Sequence, residues 1–588
     1  MKVLLIHAED DPEKGPWASL PWDRIFDLGR GGAETYARWS KRFGCRVEPL
    51  DSRNGFDDFR QVRDLLGRGC GQLVDDYGLD WWEIMSILLT GEVETLILLQ
   101  RLLQTLNSRD LVYVSRPGLH ADVLRLLLGT AVQVFPARGR AAKLRPGHYL
   151  RLSAKLSKAQ MVDIFWDKYD PGYQLRGRIV AMRPGSRPSS KQPLVLLPSA
   201  YVNVSRTGIQ YANTFSEERF LLVTTRRSGW VQEPPPNVAT AWLSSYASVR
   251  DRANENREMQ SRWESLKREL TAMPEFDVLN RLGQLASFPR RFRHGIEVRD
   301  AWRNVVDREP VQAVLCADDS NPYTRIPLLL ARERGLLNIA CHHGALDGRY
   351  VFKRSHADII WAKGRMEADY LVRMCGVPRE KVEVGAPALP AGSHAGRKSG
   401  DQASPQSILF FSELYEACGG RPEEFYRDVL PHLADMALAT GRELVVKLHP
   451  AESERERTLM LARILSAKQR DATRVVSGPL TDDLLAKTKT WFGVTILSTV
   501  AMECAVRGIP CFLCKWLEFS PHEYVEQFIR FGVGIGLDSK GGLEKIPQYL
   551  REYAVQTSVR ENCWHPAAPG RLHQLLTFSR RPCAEVAS

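Results

Sequence analysis

Hydrophobic residues in this chain fall into short runs separated by longer stretches of helical periodicity, the alternation that builds βαβ units and parallel sheets. Val3 to Ala8, Leu111 to Ser115 and Val132 to Pro136 read as early strands, each followed by a turn or a helix-length segment. Leu194 to Pro198, Phe220 to Thr225, Val311 to Ala317 and Leu337 to Cys341 continue the series. About 52–110 and 245–307 read instead as helical insertions. The second is charged and lacks strand signals, and Arg250 to Leu270 has the pattern of a solvated helix or helical pair.

The stretch from Pro390 to Pro405 is rich in Gly, Ser and Ala and has no apolar period, as expected of a flexible connector. A new βαβ series opens at Ser407-Ile408-Leu409-Phe410-Phe411 and continues at Glu443 to Leu448, Arg474 to Ser477, Thr490 to Val494 and Ile509 to Leu513. The pattern predicts an α/β protein of two Rossmann-like, doubly wound domains facing a cleft. The first spans 1–392 with its helical insertions, the linker 393–406, the second domain 407–548, and a helical tail 549–588 follows. Ligands in open α/β sheets sit beyond the carboxyl ends of the strands, so chemistry is expected just after strands.

Length and composition fit that picture. A chain of 588 residues exceeds one core, which stops growing at roughly 250–300 residues. With 44% hydrophobic and 26% charged residues, disorder is not expected to dominate. Met1 to Asp10 is an apolar run that meets acids at once, unlike a signal peptide, so a cytoplasmic location is expected. Ile84 to Leu106 is interrupted by Glu92, Glu94, Gln100 and Arg101, short of the roughly 18 uninterrupted apolar residues a membrane span needs. Membrane contact would be peripheral, at an anionic inner surface. The net charge of +12 suits anionic partners: nucleotide phosphates, an acidic polysaccharide, a lipid surface or nucleic acid. Eleven scattered cysteines lack zinc spacing and read as buried free thiols.

Two strings of the second series stand where a phosphate would be met. Lys447-Leu448-His449-Pro450-Ala451-Glu452 follows the strand Leu444-Val445-Val446, bringing a cation and an imidazole out at its carboxyl end, with Pro450 starting the next turn. Ser498 and Thr499 follow the strand Thr490 to Val494, suited to cap a helix whose first amides face the cleft. Glu503, on or near the same helical face, can accept from ribose hydroxyls. An N-capped core helix with an exposed acid would explain the same residues. Ser412, in Phe410-Phe411-Ser412-Glu413 before Gly419-Gly420, lies at the same cleft edge and could touch phosphate.

In the first series, Cys341-His342-His343-Gly344 follows a strand; Gly344 permits close backbone approach, and His343 is the histidine expected to face the cleft. Ala317-Asp318-Asp319-Ser320-Asn321-Pro322 offers a base or an acceptor-hydroxyl ligand, and equally an Asx turn with an N-cap. Trp22 to Glu34 sets acids and glycines after the first strand, where an acceptor or a phosphate could enter. Gly-x-Gly-x-x-Gly, the phosphate loop Gly-x-x-x-x-Gly-Lys-Ser/Thr, His-Glu-x-x-His and a helix-turn-helix signature are all absent.

Taken in order, His342-His343-Gly344, Ala357 to Gly364, Val382 to Pro387, Lys447 to Pro450 and Ser498-Thr499 with Glu503 resemble the GT-B glycosyltransferases of bacterial surface polysaccharide synthesis. The capsule Kdo transferases, bacterial polysialyltransferases and CDP-glycerol glycerophosphotransferases are the nearest in pattern, with UDP-N-acetylglucosamine 2-epimerase a more distant one. The resemblance spans about Val311 to Gly534. It implies that His449, Ser498 and Thr499 contact the donor's phosphate, that a cytidine-linked donor is favoured over a uridine-linked one, and that no metal or cofactor is needed. Lys447 and His449 would then offset the leaving group's charge. No catalytic base aligns in the first domain, so Asp23, Asp27, Glu34, Asp318, Asp319 and His343 all stay candidates.

The sequence reading is thus of a glycosyltransferase carrying a sugar from a nucleotide-activated donor to a polysaccharide or glycolipid acceptor, with no nucleic-acid partner. A UDP-sugar 2-epimerase and a non-catalytic binder of acidic polymer are the alternatives.

Overall fold

The computed structural model describes residues 1–7, 10–28, 33–50, 55–136, 192–226, 229–247, 250–319, 322–344, 356–388, 407–413, 415, 421–449, 452–478, 484, 488–496, 498–517, 523–552 and 557–579. These residues form three sheets, parallel throughout. The first contains β1 (Lys2–Ile6), β2 (Arg24–Asp27), β3 (Val47–Pro49), β4 (Leu111–Val114) and β5 (Val132–Val134), in the order β3-β2-β1-β4-β5. The second contains β6 (Leu194–Ser199), β7 (Phe220–Thr224), β8 (Val238–Trp242), β9 (Val311–Cys316), β10 (Leu337–Ala340), β11 (Ile359–Ala362) and β12 (Val382–Val384), in the order β12-β11-β10-β9-β6-β7-β8. The third contains β13 (Ser407–Phe411), β14 (Glu443–Lys447), β15 (Thr473–Val476), β16 (Thr490–Thr495), β17 (Cys511–Cys514) and β18 (Ile535–Leu537), in the order β15-β14-β13-β16-β17-β18.

The protein is therefore α/β with Rossmann-like doubly wound sheets, and the described residues up to Ala388 carry two of them. Each sheet runs outward from its first strand in both directions, so the order reverses beside that strand. The three switch points lie between β1 and β4, β6 and β9, and β13 and β16, where a crevice opens at the strands' carboxyl ends. Central strands such as Leu194–Ser199 and Ser407–Phe411 are buried at every residue, because helices cover both sheet faces.

The helices between β3 and β4 bridge two sheets, with Leu96, Leu99 and Leu102 packing on the first beside Val3, Leu5 and Val112. Helices Gly55–Gly67, Trp81–Ser86 and Thr90–Gln104 share a core with Ala253–Thr271, Pro274–Arg281 and Phe288–Arg308 against one face of the seven-stranded sheet. Trp82 stacks on Trp263 at 6.0 Å and approaches Phe288 at 5.6 Å. Asp80 caps Trp81–Ser86 by accepting from the amides of Trp82 and Glu83. Arg299, wholly buried, is neutralised by Asp75 at 2.7 Å, Glu255 at 2.6 Å and Asp300 at 2.7 Å, which ties the insertion to the helices that carry it.

The seven- and six-stranded sheets meet in a shared core that includes Ile360, Ala362 and Met366 on one side and Leu409, Ala501 and Cys511 on the other. Helix Thr557–Cys563 crosses between them, and Gly364 is pressed so closely against the Asn562 carbonyl that an added Cβ would lie 2.3 Å from it. The chain then pairs Pro566 with Ala386 and lays helix Arg571–Ser579 on the seven-stranded unit through Leu572 and Leu576. No helix of the described residues is long and apolar enough to cross a membrane.

Candidate active site

At the β13/β16 switch point, hydrogen bonds converge on a buried carboxylate. Glu452, whose side chain is wholly buried, pairs with Arg457 Nε at 2.7 Å and accepts from Ser412 Oγ at 2.9 Å and from the His449 amide at 2.7 Å. Ser412 also shares a 2.6 Å hydrogen bond with the Tyr426 hydroxyl. Glu452 thereby fixes the turn that carries His449 beside the end of β13. His449 is half-buried, and burial, with a smaller push from Lys447, lowers its pKa against the pull of Glu452. Pro450 lies outside the described residues.

Lys447 differs from its expected role. The last residue of β14, it is only 4% exposed, and its ammonium donates to the Leu448 carbonyl at 2.5 Å and the Gly478 carbonyl at 2.6 Å. It braces two turns from behind instead of presenting a cation outward, because three donors on a buried ammonium must find acceptors. Burial lowers its pKa.

Ser498 is buried, its amide donating to Thr495 Oγ1 at 3.2 Å and its hydroxyl accepting from the Val500 amide at 3.3 Å. Thr499 is the N-cap of helix Val500–Val506 and makes no side-chain cap. The Ala501 and Met502 amides return to the Ser498 and Thr499 carbonyls. The first amides are thus engaged within the turn, which corrects the expectation that they stand open to a phosphate. Glu503, on the exposed side of the helix, reaches Arg507 at 3.6 Å. The sequence reading passed over Glu413. Its carboxyl interacts with Ser498, and burial, reinforced by Glu452, pushes its pKa up to about 7.

At the β6/β9 switch point a second cluster forms. The Tyr201 hydroxyl, just past β6, donates to Asp318 Oδ2 at 2.5 Å, just past β9. The same hydroxyl lies 3.4 Å from His343 Nδ1 and 3.5 Å from Nε2, with the two rings edge to face at 5.3 Å. Asp318 and Asp319 are both buried, and Thr324 bonds the Asp318 carbonyl. Burial chiefly, and then Asp319, raises the pKa of the Cys316 thiol, and at Cys341 burial raises it with a smaller contribution from Asp319. The His343 loop is held from below by Lys363, whose ammonium bonds the His342 and Gly344 carbonyls, while Gly344 N donates to His342 Nδ1 at 3.1 Å. Tyr201 and Lys363 were not singled out in sequence, because their partners are remote in the chain.

The other candidates are elsewhere. Asp23 accepts from the Lys2 amide at 2.6 Å at the amino edge of the first sheet, opposite the switch point. Asp27 is wholly buried and paired with Arg421 at 2.7 Å. Glu34 lies in helix Ala33–Phe43, where the next residue, Thr35, bonds Glu424. Among the described residues no group of three or more His, Cys, Asp or Glu side chains is placed to hold a metal ion.

No family model matches the sequence, and no curated protein matches it. Among solved structures, the chain is similar to the UDP-GlcNAc 2-epimerase of Methanocaldococcus jannaschii in complex with UDP-GlcNAc and UDP. That match has 11% identity and a TM-score of 0.40, over 66% of this chain and 100% of the other. It is similar to a calicheamicin glycosyltransferase at 11% identity and a TM-score of 0.38, over 68% and 100%. It is also similar to the wall teichoic acid polymerase TagF at 9% identity and a TM-score of 0.37, over 72% and 96%. Likenesses of this size assign no role to any residue here.

Proposed function

We propose that this chain is a GT-B glycosyltransferase. It would move a sugar from a nucleotide-activated donor, cytidine-linked before uridine-linked, to a growing surface polysaccharide or glycolipid. The supporting observation is the pairing of two doubly wound sheets, tied by helix Thr557–Cys563 and the returning tail, each with a polar cluster built at its switch point. One cluster suits a donor and the other an acceptor.

On the acceptor side His343 takes the proton of the attacking hydroxyl. Asp318 holds the Tyr201 hydroxyl, whose oxygen lies against the imidazole and favours its protonated form as the proton arrives. The acceptor oxygen bonds to the anomeric carbon while the bond from that carbon to the donor phosphate breaks, and the leaving nucleotide keeps the electron pair. On the donor side His449, Ser412, Ser498 and Thr499 hold the leaving phosphate, with Glu503 toward the ribose. Glu413, substantially protonated near neutral pH, donates to a phosphate oxygen. Lys447 and Gly344 act through the loops they shape.

A thermal-shift series with CMP, CDP, UDP, GDP and their sugar conjugates tests this, since a ligand present at 100 times its Kd adds about 2.7 kcal/mol to the folded state. A shift with one nucleotide class that His449→Ala abolishes is the expected result. No shift with any nucleotide sinks the donor site. A new epimer formed from a UDP-sugar alone turns the reading to an epimerase. Binding to acidic polymer that collapses with salt and ignores His449→Ala turns it to a non-catalytic binder.

A further inference from the structure

The glycosyl-transfer reading leaves the switch point of the five-stranded sheet unused, yet side chains converge there as well. His7 follows β1, Ser115 and Arg116 follow β4, and His120 stands in the first turn of helix Leu119–Leu128. His7 Nδ1 and Ser115 Oγ share a hydrogen bond of 2.8 Å, and the His7 amide donates to Asp10 Oδ2 at 2.6 Å. The His7 and His120 rings meet edge to face at 5.7 Å. Both imidazoles are partly exposed, and His120 makes no hydrogen bond to any described residue.

Among the described residues the arginines at this edge are paired. Arg116 pairs with Asp10, and Arg421, arriving from the six-stranded unit, pairs with Asp27, meets Glu424 at 3.5 Å and donates to the His7 carbonyl at 3.2 Å. The described residues thus offer a phosphate no surplus positive charge here. A nucleotide in the usual doubly wound pose needs an acid at the end of the second strand for its ribose, and here that acid, Asp27, is wholly buried against Arg421. Nor do the groups make a Ser-His-Asp triad. Asp10 lies 3.9 Å from the same ring nitrogen that meets Ser115, and Ser115 is only 2% exposed. What remains is a pair of partly exposed imidazoles, His7 held in place by Ser115 and His120 from the following helix, whose ring nitrogens match vicinal hydroxyl groups.

We propose that His7 and His120, with buried Ser115 orienting the His7 ring, form a carbohydrate-binding subsite that grips an uncharged stretch of the glycan acceptor, an assignment that rests on the glycosyl-transfer reading. Its position supports this use. Arg421 immediately precedes helix Pro422–Ala439, whose Tyr426 bonds Ser412 at the β13/β16 switch point, so the subsite borders the donor cluster on the same chain. An acceptor several sugars long would lie on the first sheet while its end enters the reaction site.

The test uses the full chain, fluorescently labelled, on an array printed with bacterial surface glycans. Capture on a neutral glycan class is expected, lowered at least tenfold by His120→Ala and by the bulkier His120→Trp. Saturating UDP and 10 mM inorganic phosphate should leave that capture unchanged. Capture of no glycan, capture indifferent to both variants, or displacement by phosphate overturns the proposal. The thermal shift with nucleotides is read on the same preparations. If it persists while glycan capture fails, the subsite alone is lost; if it is absent, the donor reading has failed independently.

Discussion

Tyr201 donates to Asp318 Oδ2 at 2.5 Å while its ring stands at right angles to that of His343, so a residue after β6 links the ends of β9 and β10. The proposed proton transfer gives these residues unequal weights. His343→Ala removes the base and should lower kcat by roughly 10²–10⁴. Tyr201→Phe keeps the ring contact and loses one hydrogen bond, so it should cost about tenfold, near 1.4 kcal/mol. Because Tyr201 is a positioning residue, its loss should also displace the acid limb of the pH profile of kcat/KM, which a purely structural role would leave in place. Steady-state kinetics with the nucleotide identified by thermal shift checks both.

Glu413 gives a pH signature. Burial raises its folded pKa from the ordinary 4.5 to about 7, so between those values the folded protein holds a proton that the unfolded chain has released. Its contribution to stability is therefore full below pH 4.5, falls as pH rises through the window, and levels off above about 7. The histidines act oppositely. Burial lowers His7, His120 and His294 from 6.5 to about 4, so their contribution rises as pH climbs from 4 to 6.5. Urea denaturation of the wild type and of Glu413→Gln at pH 5, 6, 7 and 8 separates them. The wild type should lose stability relative to Glu413→Gln as pH rises from 5 to 8, and a pH-independent difference would contradict the raised carboxyl.

Glu452 and Arg457 form a buried ion pair under the His449 turn, with side chains 0% and 6% exposed. Removing one member strands the other, which costs about 3–5 kcal/mol. Glu452→Gln should lower the denaturation midpoint accordingly and weaken nucleotide binding as well, since a single amide oxygen must replace the two carboxylate oxygens that accept from Arg457, Ser412 and the His449 amide. The double variant Glu452→Gln, Arg457→Met should recover much of the stability but not the binding. Recovery of both would mean that Glu452 does not set the His449 turn.

The α/β class was legible because strands such as Leu194–Ser199 are covered on both faces and show as unbroken apolar runs. His449 and Ser498 were legible as residues that follow strands, a local property. The division of the first 392 residues between two sheets was not, because strand order is set by packing between distant segments. Helix Trp81–Ser86 is inserted in one sheet's sequence yet buried on the other's face, and Thr90–Gln104 packs on both. Tyr201 escaped notice because its partners lie 117 and 142 residues away. Lys447 was misjudged because the sequence places a lysine at a strand end but does not say which way its ammonium turns.

Arg421 and Asp27 carry the clearest tie between the first and third sheets, both nearly or fully buried at 4% and 0% exposure and 2.7 Å apart. The carboxylate has no water to turn to if the guanidinium goes, so Arg421→Met should cost about 3–5 kcal/mol locally. That cost falls on the contact between the first and third units, because Arg421 also carries the bond to the His7 carbonyl, and beside it the described residues show a single side-chain hydrogen bond, Thr35 to Glu424. Limited proteolysis should therefore cut Arg421→Met faster than the wild type within the first 136 residues, while the nucleotide shift of the third unit is kept. Asp27→Asn in the same chain removes the stranded charge and should slow cleavage again. If the single variant is as resistant as the wild type, the pair does not hold the two units together.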